Sequence, residues 1–76
     1  MKEFLETLIK YIVEEHDKVK VEEVEGDGVC VLKLRVAKNE VGKVIGKKGR
    51  TADALRRLLN AVSAKNNKRI VLEILD

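Results

Sequence analysis

The sequence predicts an α+β fold, a three-stranded sheet packed on one face by three helices in the order α-β-β-α-α-β. Three observations carry this. Seven apolar residues near the start follow helical spacing. Two alternating apolar stretches then flank Gly26-Asp27-Gly28. Finally, helical spacing returns on both sides of Gly46-Lys47-Lys48-Gly49 before one last alternating stretch.

The first helix is expected from Lys2 to about His16, carrying Phe4, Leu5, Leu8, Ile9, Tyr11, Ile12 and Val13. At about 100° per residue these sweep an arc of roughly 200°, wider than the ~100° stripe of a surface helix. Such a helix either sinks into its own core or shares its stripe with a second chain. Lys18 to Glu25 reads as a polar strand in which the valines at 19, 21 and 24 slip out of alternation near Glu22-Glu23. The two glycines that follow supply the positive φ of a tight turn. Val29 to Val36 alternates cleanly, with Cys30, Leu32, Leu34 and Val36 on one face, so the two strands form a hairpin.

Asn39 is the expected N-cap of a short helix, Glu40 to about Ile45. A longer helix is expected from Arg50 to about Ala64, burying Leu55, Leu58, Leu59 and Val62 and exposing Arg50, Asp53, Arg57 and Asn60. Lys65 to Lys68 is a polar loop. Arg69 to Leu75 is the last strand, with Ile70, Leu72 and Ile74 on one face. Three strands with one apolar face need a helical layer to cover it, which gives a two-layer sandwich.

The chain has 76 residues, and a chain of that size buries only about 60% of its unfolded surface, so one domain, residues 1–76, with one core and no deep cleft is expected. One cysteine and one histidine rule out a disulfide framework and most metal sites or catalytic triads. No signal-peptide pattern opens the sequence, and a reduced, cytoplasmic setting is expected. The net charge of +3 conceals a segregation. Residues 1–27 hold four lysines against nine acids, net −5, and residues 28–76 hold twelve cations against four acids, net +8. A basic portion set apart in this way suits a polyanion.

The informative stretch is Gly42-Lys43-Val44-Ile45-Gly46-Lys47-Lys48-Gly49-Arg50-Thr51-Ala52. Gly46 and Gly49 lack side chains, so a phosphate chain can approach the main chain closely. The helix that starts at Arg50 offers free N–H groups and a dipole that favour an anion. Lys43, Lys47, Lys48 and Arg50 bring four positive charges within eight residues, without an acid among them. Val44 and Ile45 supply an aliphatic surface for bases. A phosphate-binding P-loop is excluded, because the residue five places after Gly42 is Lys47 rather than glycine. A dinucleotide fingerprint fails on glycine spacing and on the absence of a strand immediately before it.

This loop, the aliphatic pair before it and the α-β-β-α-α-β order resemble a type II KH domain. The run GKVIGKKGRTADALR is similar to the small single-domain bacterial KH proteins of the KhpA family, and the resemblance spans essentially the whole chain. The resemblance implies single-stranded RNA binding, with Gly46, Lys47, Lys48 and Gly49 clamping the backbone of about four nucleotides. It implies that Ile45 and part of the strand at 29–36 line the base groove, and that 64–68 is the variable loop. It also implies a dimer, with a second copy or with a KhpB-type KH protein, in RNA regulation of cell division and elongation. The alternative is a protein-interaction subunit for such a partner, with RNA contact incidental.

Arg50 belongs with the clamp as a phosphate contact. Lys43 and Arg57 are candidates for extending the basic track, as are Lys68, Arg69 and Arg35. Cys30 reads as a buried structural thiol and His16 as a favourable residue at a helix C-terminus. Ser63 has no base near it in the pattern, and no catalytic constellation, cofactor motif, small-molecule site or membrane segment stands out, so a non-enzyme is expected. The two aromatics, Phe4 and Tyr11, both belong to the first helix, which excludes an aromatic stacking platform for bases.

Overall fold

The computed structural model describes residues 1–75. Its elements are α1 (Lys2–Lys10), β1 (Lys20–Gly26), β2 (Val29–Arg35), α2 (Val41–Ile45), α3 (Arg50–Val62) and β3 (Arg69–Leu75), with short 3₁₀ turns between several of them. The sheet order is β1-β2-β3; β1 pairs antiparallel with β2, and β2 pairs parallel with β3. The expected α-β-β-α-α-β sandwich is the fold observed.

The hairpin turns at Gly28, whose φ of 69° is the left-handed conformation expected of a glycine there. Register places Val21, Leu34 and Ile74 on the helical side of the sheet, with Leu32 and Leu72 two residues along. These strands, Leu5 and Ile9 of α1, Val44 of α2 and Leu55 and Leu59 of α3 make one core. The expected faces of β2 and β3 are therefore correct. In β1 the slip is real: Val19 and Val21 are buried, but Val24 lies on the other face and is exposed. On that uncovered face it joins Val31 and Val71 in one cross-strand row.

The first helix ends six residues earlier than expected. Ile12 N–H reaches Ile9 O at 2.8 Å, tightening the last turn. The N–H groups of Glu14 and Glu15, which a continuing helix would direct to its own carbonyls, instead donate to the Glu40 carboxylate at 2.7 and 3.0 Å. Tyr11 consequently turns out to solvent and is 86% exposed, so the buried stripe narrows to Leu5 and Ile9, extended by Val13 beyond the helix. His16 sits in a 3₁₀ turn after the helix, its Nε2 3.0 Å from Val13 O, and not at the helix terminus.

The buried face of α3 is rotated from the expected one. Ala52, Leu55, Leu59 and, just past the helix, Ser63 face the core; Leu58 and Val62 are 41% and 50% exposed. Ala52 and Ser63 are small enough to suit a close helix–sheet approach, while the bulkier Leu58 and Val62 stay on the outer side. Asn60, expected on the exposed side, accepts from Ile70 N–H at 2.9 Å and donates to Ile70 O at 3.1 Å. Its amide thus stands in for a neighbouring strand and blocks one end of the outer edge of β3.

Candidate nucleic-acid interface

A parallel strand pair cannot be joined by a hairpin, so β2 must return to β3 through a crossover. The Gly46–Gly49 loop lies in the middle of that crossover, between α2 and α3. Val44 before it and Ala52 and Leu55 after it are buried, so both flanks are anchored. Gly46 N–H closes α2 on Gly42 O at 2.8 Å, and Gly49 N–H reaches back to Gly46 O at 3.0 Å.

Gly46 takes φ 78°, ψ 170°, a region essentially reserved for glycine. A Cβ there would lie 2.6 Å from Thr51 Cβ and 2.8 Å from Thr51 N, and would also collide with the Thr51 hydroxyl. Gly46 is therefore required twice, by dihedral and by space. Gly49 is also left-handed, at φ 74°, but a Cβ there would meet open space. Between them Lys48 adopts φ 58°, ψ 25°, a left-handed conformation uncommon for a lysine. The two lysines of the loop are exposed, while Gly46 and Gly49 are half-buried. The N-terminus of α3 carries no side-chain cap; its first N–H, that of Arg50, donates to Lys47 O.

Lys47, Lys48 and Arg50 are exposed, and among the described residues none has an ion-pair partner. Lys43 differs. Its Nζ lies 3.3 Å from Glu40 Oε2 and 3.5 Å from Glu14 Oε1, so it is held by carboxylates. Arg57 pairs with Asp53 at 3.2 Å on the exposed side of α3. Lys68 is bound to Glu25 at 2.6 Å, and with Arg69 it sits at the end of β3 remote from the loop. That pairing holds Glu25 below and Lys68 above their ordinary ranges.

Beside the loop runs an open cavity of about 380 Å³. Ile45, Gly49 and Ala52 line one side and Leu72, Ile74 and Leu75 the other, with Arg56 and Glu73 as its charged residues. The groove strand is β3. The strand at 29–36, expected there, is central in the sheet and contributes none of the lining residues. Arg56, which sequence reasoning passed over for Arg57, is the arginine at the groove.

Two further residues shape the site without a sequence signal. Thr51 packs against the Cα of Gly46. Glu40, only 2% exposed, joins the segment after α1 to the start of α2. Asn39 lies within the turn Lys38–Glu40 and does not cap α2; Glu40 occupies the cap position, with its carboxylate directed at Glu14 and Glu15. Those two backbone hydrogen bonds, with Lys43 assisting, hold the Glu40 carboxyl below its usual 4.5. Cys30, Glu23 and Glu25 approach one another at the far end of the sheet. Burial, with help from Glu23, pushes the Cys30 thiol up, so it stays protonated and suits the structural role expected of it.

A glycine-flanked turn joining two helices inside a β-α-α-β crossover, beside the outer strand of a three-stranded mixed sheet, defines a type II KH domain. The sequence model of the KhpA/KhpB KH domain matches residues 2–74, and the chain belongs to that family. It is 50% identical to the RNA-binding protein KhpA of Aquifex aeolicus over 76 residues, covering 100% of this chain and 96% of that protein. With the RNA-binding protein KhpA of Clostridium acetobutylicum it shares 48% over 75 residues, 99% of this chain and 100% of the relative. With that of Borreliella burgdorferi it shares 47% over 74 residues, 97% and 90% of the two chains.

Gly46→Ala should cost about 3 kcal/mol or more, since backbone strain and steric overlap add, whereas Gly49→Ala should cost about 1–2 kcal/mol. Chemical denaturation of both variants measures the difference. Because the Glu40 carboxyl is depressed in the folded state, its contribution is present above pH 4.5 and is lost as the pH falls through its folded value. Glu40→Gln should lower the melting temperature by several degrees at pH 7 and flatten the acid side of the stability profile.

Proposed function

We propose that this chain is a non-enzymatic, cytoplasmic, single-stranded RNA-binding protein that acts as an RNA chaperone or post-transcriptional regulator. The observation that carries the reading is the strained Gly46–Gly49 loop, whose two lysines, with Arg50 just after it, have no carboxylate partner among the described residues and lie beside an aliphatic groove. The RNA-binding proteins KhpA to which the chain is similar support the same conclusion.

Gly46, Lys47, Lys48 and Gly49 hold about four nucleotides by their backbone, and Arg50 adds a phosphate contact at the start of α3. Bases lie against Ile45 and the Leu72–Leu75 segment of β3. Lys43 and Arg57, each already engaged by carboxylates, contribute to the local field more than by contact. No cofactor enters this reading. The groove holds no aromatic side chain, so each base forgoes the ~1–3 kcal/mol that stacking would supply.

Weak binding by one domain is offset when two act together through effective concentration. The chain accordingly pairs with a second copy or with a KhpB-type KH protein. Phe4, Leu58 and Val62, large apolar residues left exposed on the helical layer, are the surface available for that pairing.

Replacing both Lys47 and Lys48 by Asp should weaken binding of single-stranded RNA at least roughly tenfold with the fold intact by circular dichroism. For the unmodified protein, three phosphate contacts at about 0.7 each predict that raising salt from about 50 to 200 mM weakens binding roughly 20-fold. Fluorescence anisotropy reads both. Unchanged affinity in the double variant would remove the clamp.

A further inference from the structure

The groove does not end at the outer strand. Leu75 lines it on one side and also lines an adjoining depression on the uncovered face of the sheet. In the register, Leu75 faces Arg35 and Arg35 faces Lys20, so these three side chains form one row across the sheet on that face. Lys20 and Arg35 in turn line a third depression together with Lys38, from the turn before α2. The groove and the second depression thus share Leu75, and the second and third share Lys20 and Arg35.

The row lies at the right end of the molecule. β2 and β3 are parallel and finish together at Arg35 and Leu75, β1 begins there at Lys20, and the Gly46–Gly49 loop borders the Leu72–Leu75 end of the groove. Two inter-strand spacings of about 4.8 Å carry the track roughly 10 Å from Leu75 to Lys20. Lys20 and Lys38 are exposed and, among the described residues, have no ion-pair partner. Farther along the same face Lys33 is neutralised by Glu22 at 3.9 Å. Glu15 and Asp17 line the outer depression and set a negative limit to the track.

We propose that Lys20 and Lys38, on either side of Arg35, form a second phosphate-binding track, which takes the nucleotides of a longer single-stranded RNA that extend past the clamp and over the carboxyl ends of β2 and β3. The inference rests on the RNA-binding reading and lengthens its site. It makes affinity depend on RNA length in a way the clamp alone does not.

The test compares labelled mixed-sequence RNAs of about four and about twelve nucleotides, length enough for the clamp alone and for clamp plus track. Lys20→Glu/Lys38→Glu should bind the long RNA roughly tenfold more weakly, with a salt slope shallower by about 1.4, and the short RNA within about twofold of the unmodified protein. Lys20→Gln/Lys38→Gln, which removes charge without adding acid, should show the same selectivity to a smaller degree. Lys2→Glu/Lys65→Glu, with an equal charge change elsewhere, should bind both lengths alike. If that control loses as much on the long RNA, or if the Lys20/Lys38 variants bind it normally, the track is overturned. Retention of short-RNA binding by Lys47→Asp/Lys48→Asp would instead overturn the clamp beneath it.

Discussion

The parallel pairing of β2 with β3 is the constraint on which the rest of the molecule depends. It obliges the chain to leave the sheet after Arg35 and come back at Arg69, and everything that characterises the interface is built into that return path. α2 and α3 cover the apolar face that the strands present, while the turn between them is pressed to the margin of the sheet. Buried residues on both sides of the turn fix its position. A loop held so firmly can tolerate three left-handed residues, at Gly46, Lys48 and Gly49, that a free loop would relax. On the proposed reading, an ordered main chain would lose little entropy on receiving a flexible polyanion.

Charge is distributed to match. Lys33, Lys43, Arg57 and Lys68 each approach a carboxylate, while among the described residues Lys47, Lys48 and Arg50 do not. The acidic first third therefore does more than balance the total. Glu14 and Glu25 hold Lys43 and Lys68, cations that would otherwise add to the positive surface.

The parts of the fold that rest on strong local pattern were legible in the sequence. β2 and β3 alternate because one face of each is buried, and the glycine pair marks a turn whatever surrounds it. The parts set by distant partners were not. Glu40 is a buried carboxylate whose reason lies 25 and 26 residues away, in the N–H groups of Glu15 and Glu14, and those same bonds end α1 early. Asn60 looked like surface because its partner, Ile70, belongs to another element. The face of α3 was misjudged because Ala52 and Ser63 bury themselves by being small and not by being hydrophobic. The same rotation brings Arg56 to the groove in place of Arg57. Assigning the groove to the wrong strand had a topological cause: alternation alone does not reveal which strand ends up outermost.

The central claim is that RNA is held on the main chain of the Gly46–Gly49 loop and in the groove between Ile45 and β3. Titration of isotopically labelled protein with a four-nucleotide single-stranded RNA, followed amide by amide in NMR spectra, tests it most directly. The largest shifts should fall on residues 46–50 and 72–75, with the outer face of α1 and the hairpin turn little changed. Shifts concentrated on the exposed faces of α1 and α3, with residues 46–50 unmoved at saturation, would contradict the account.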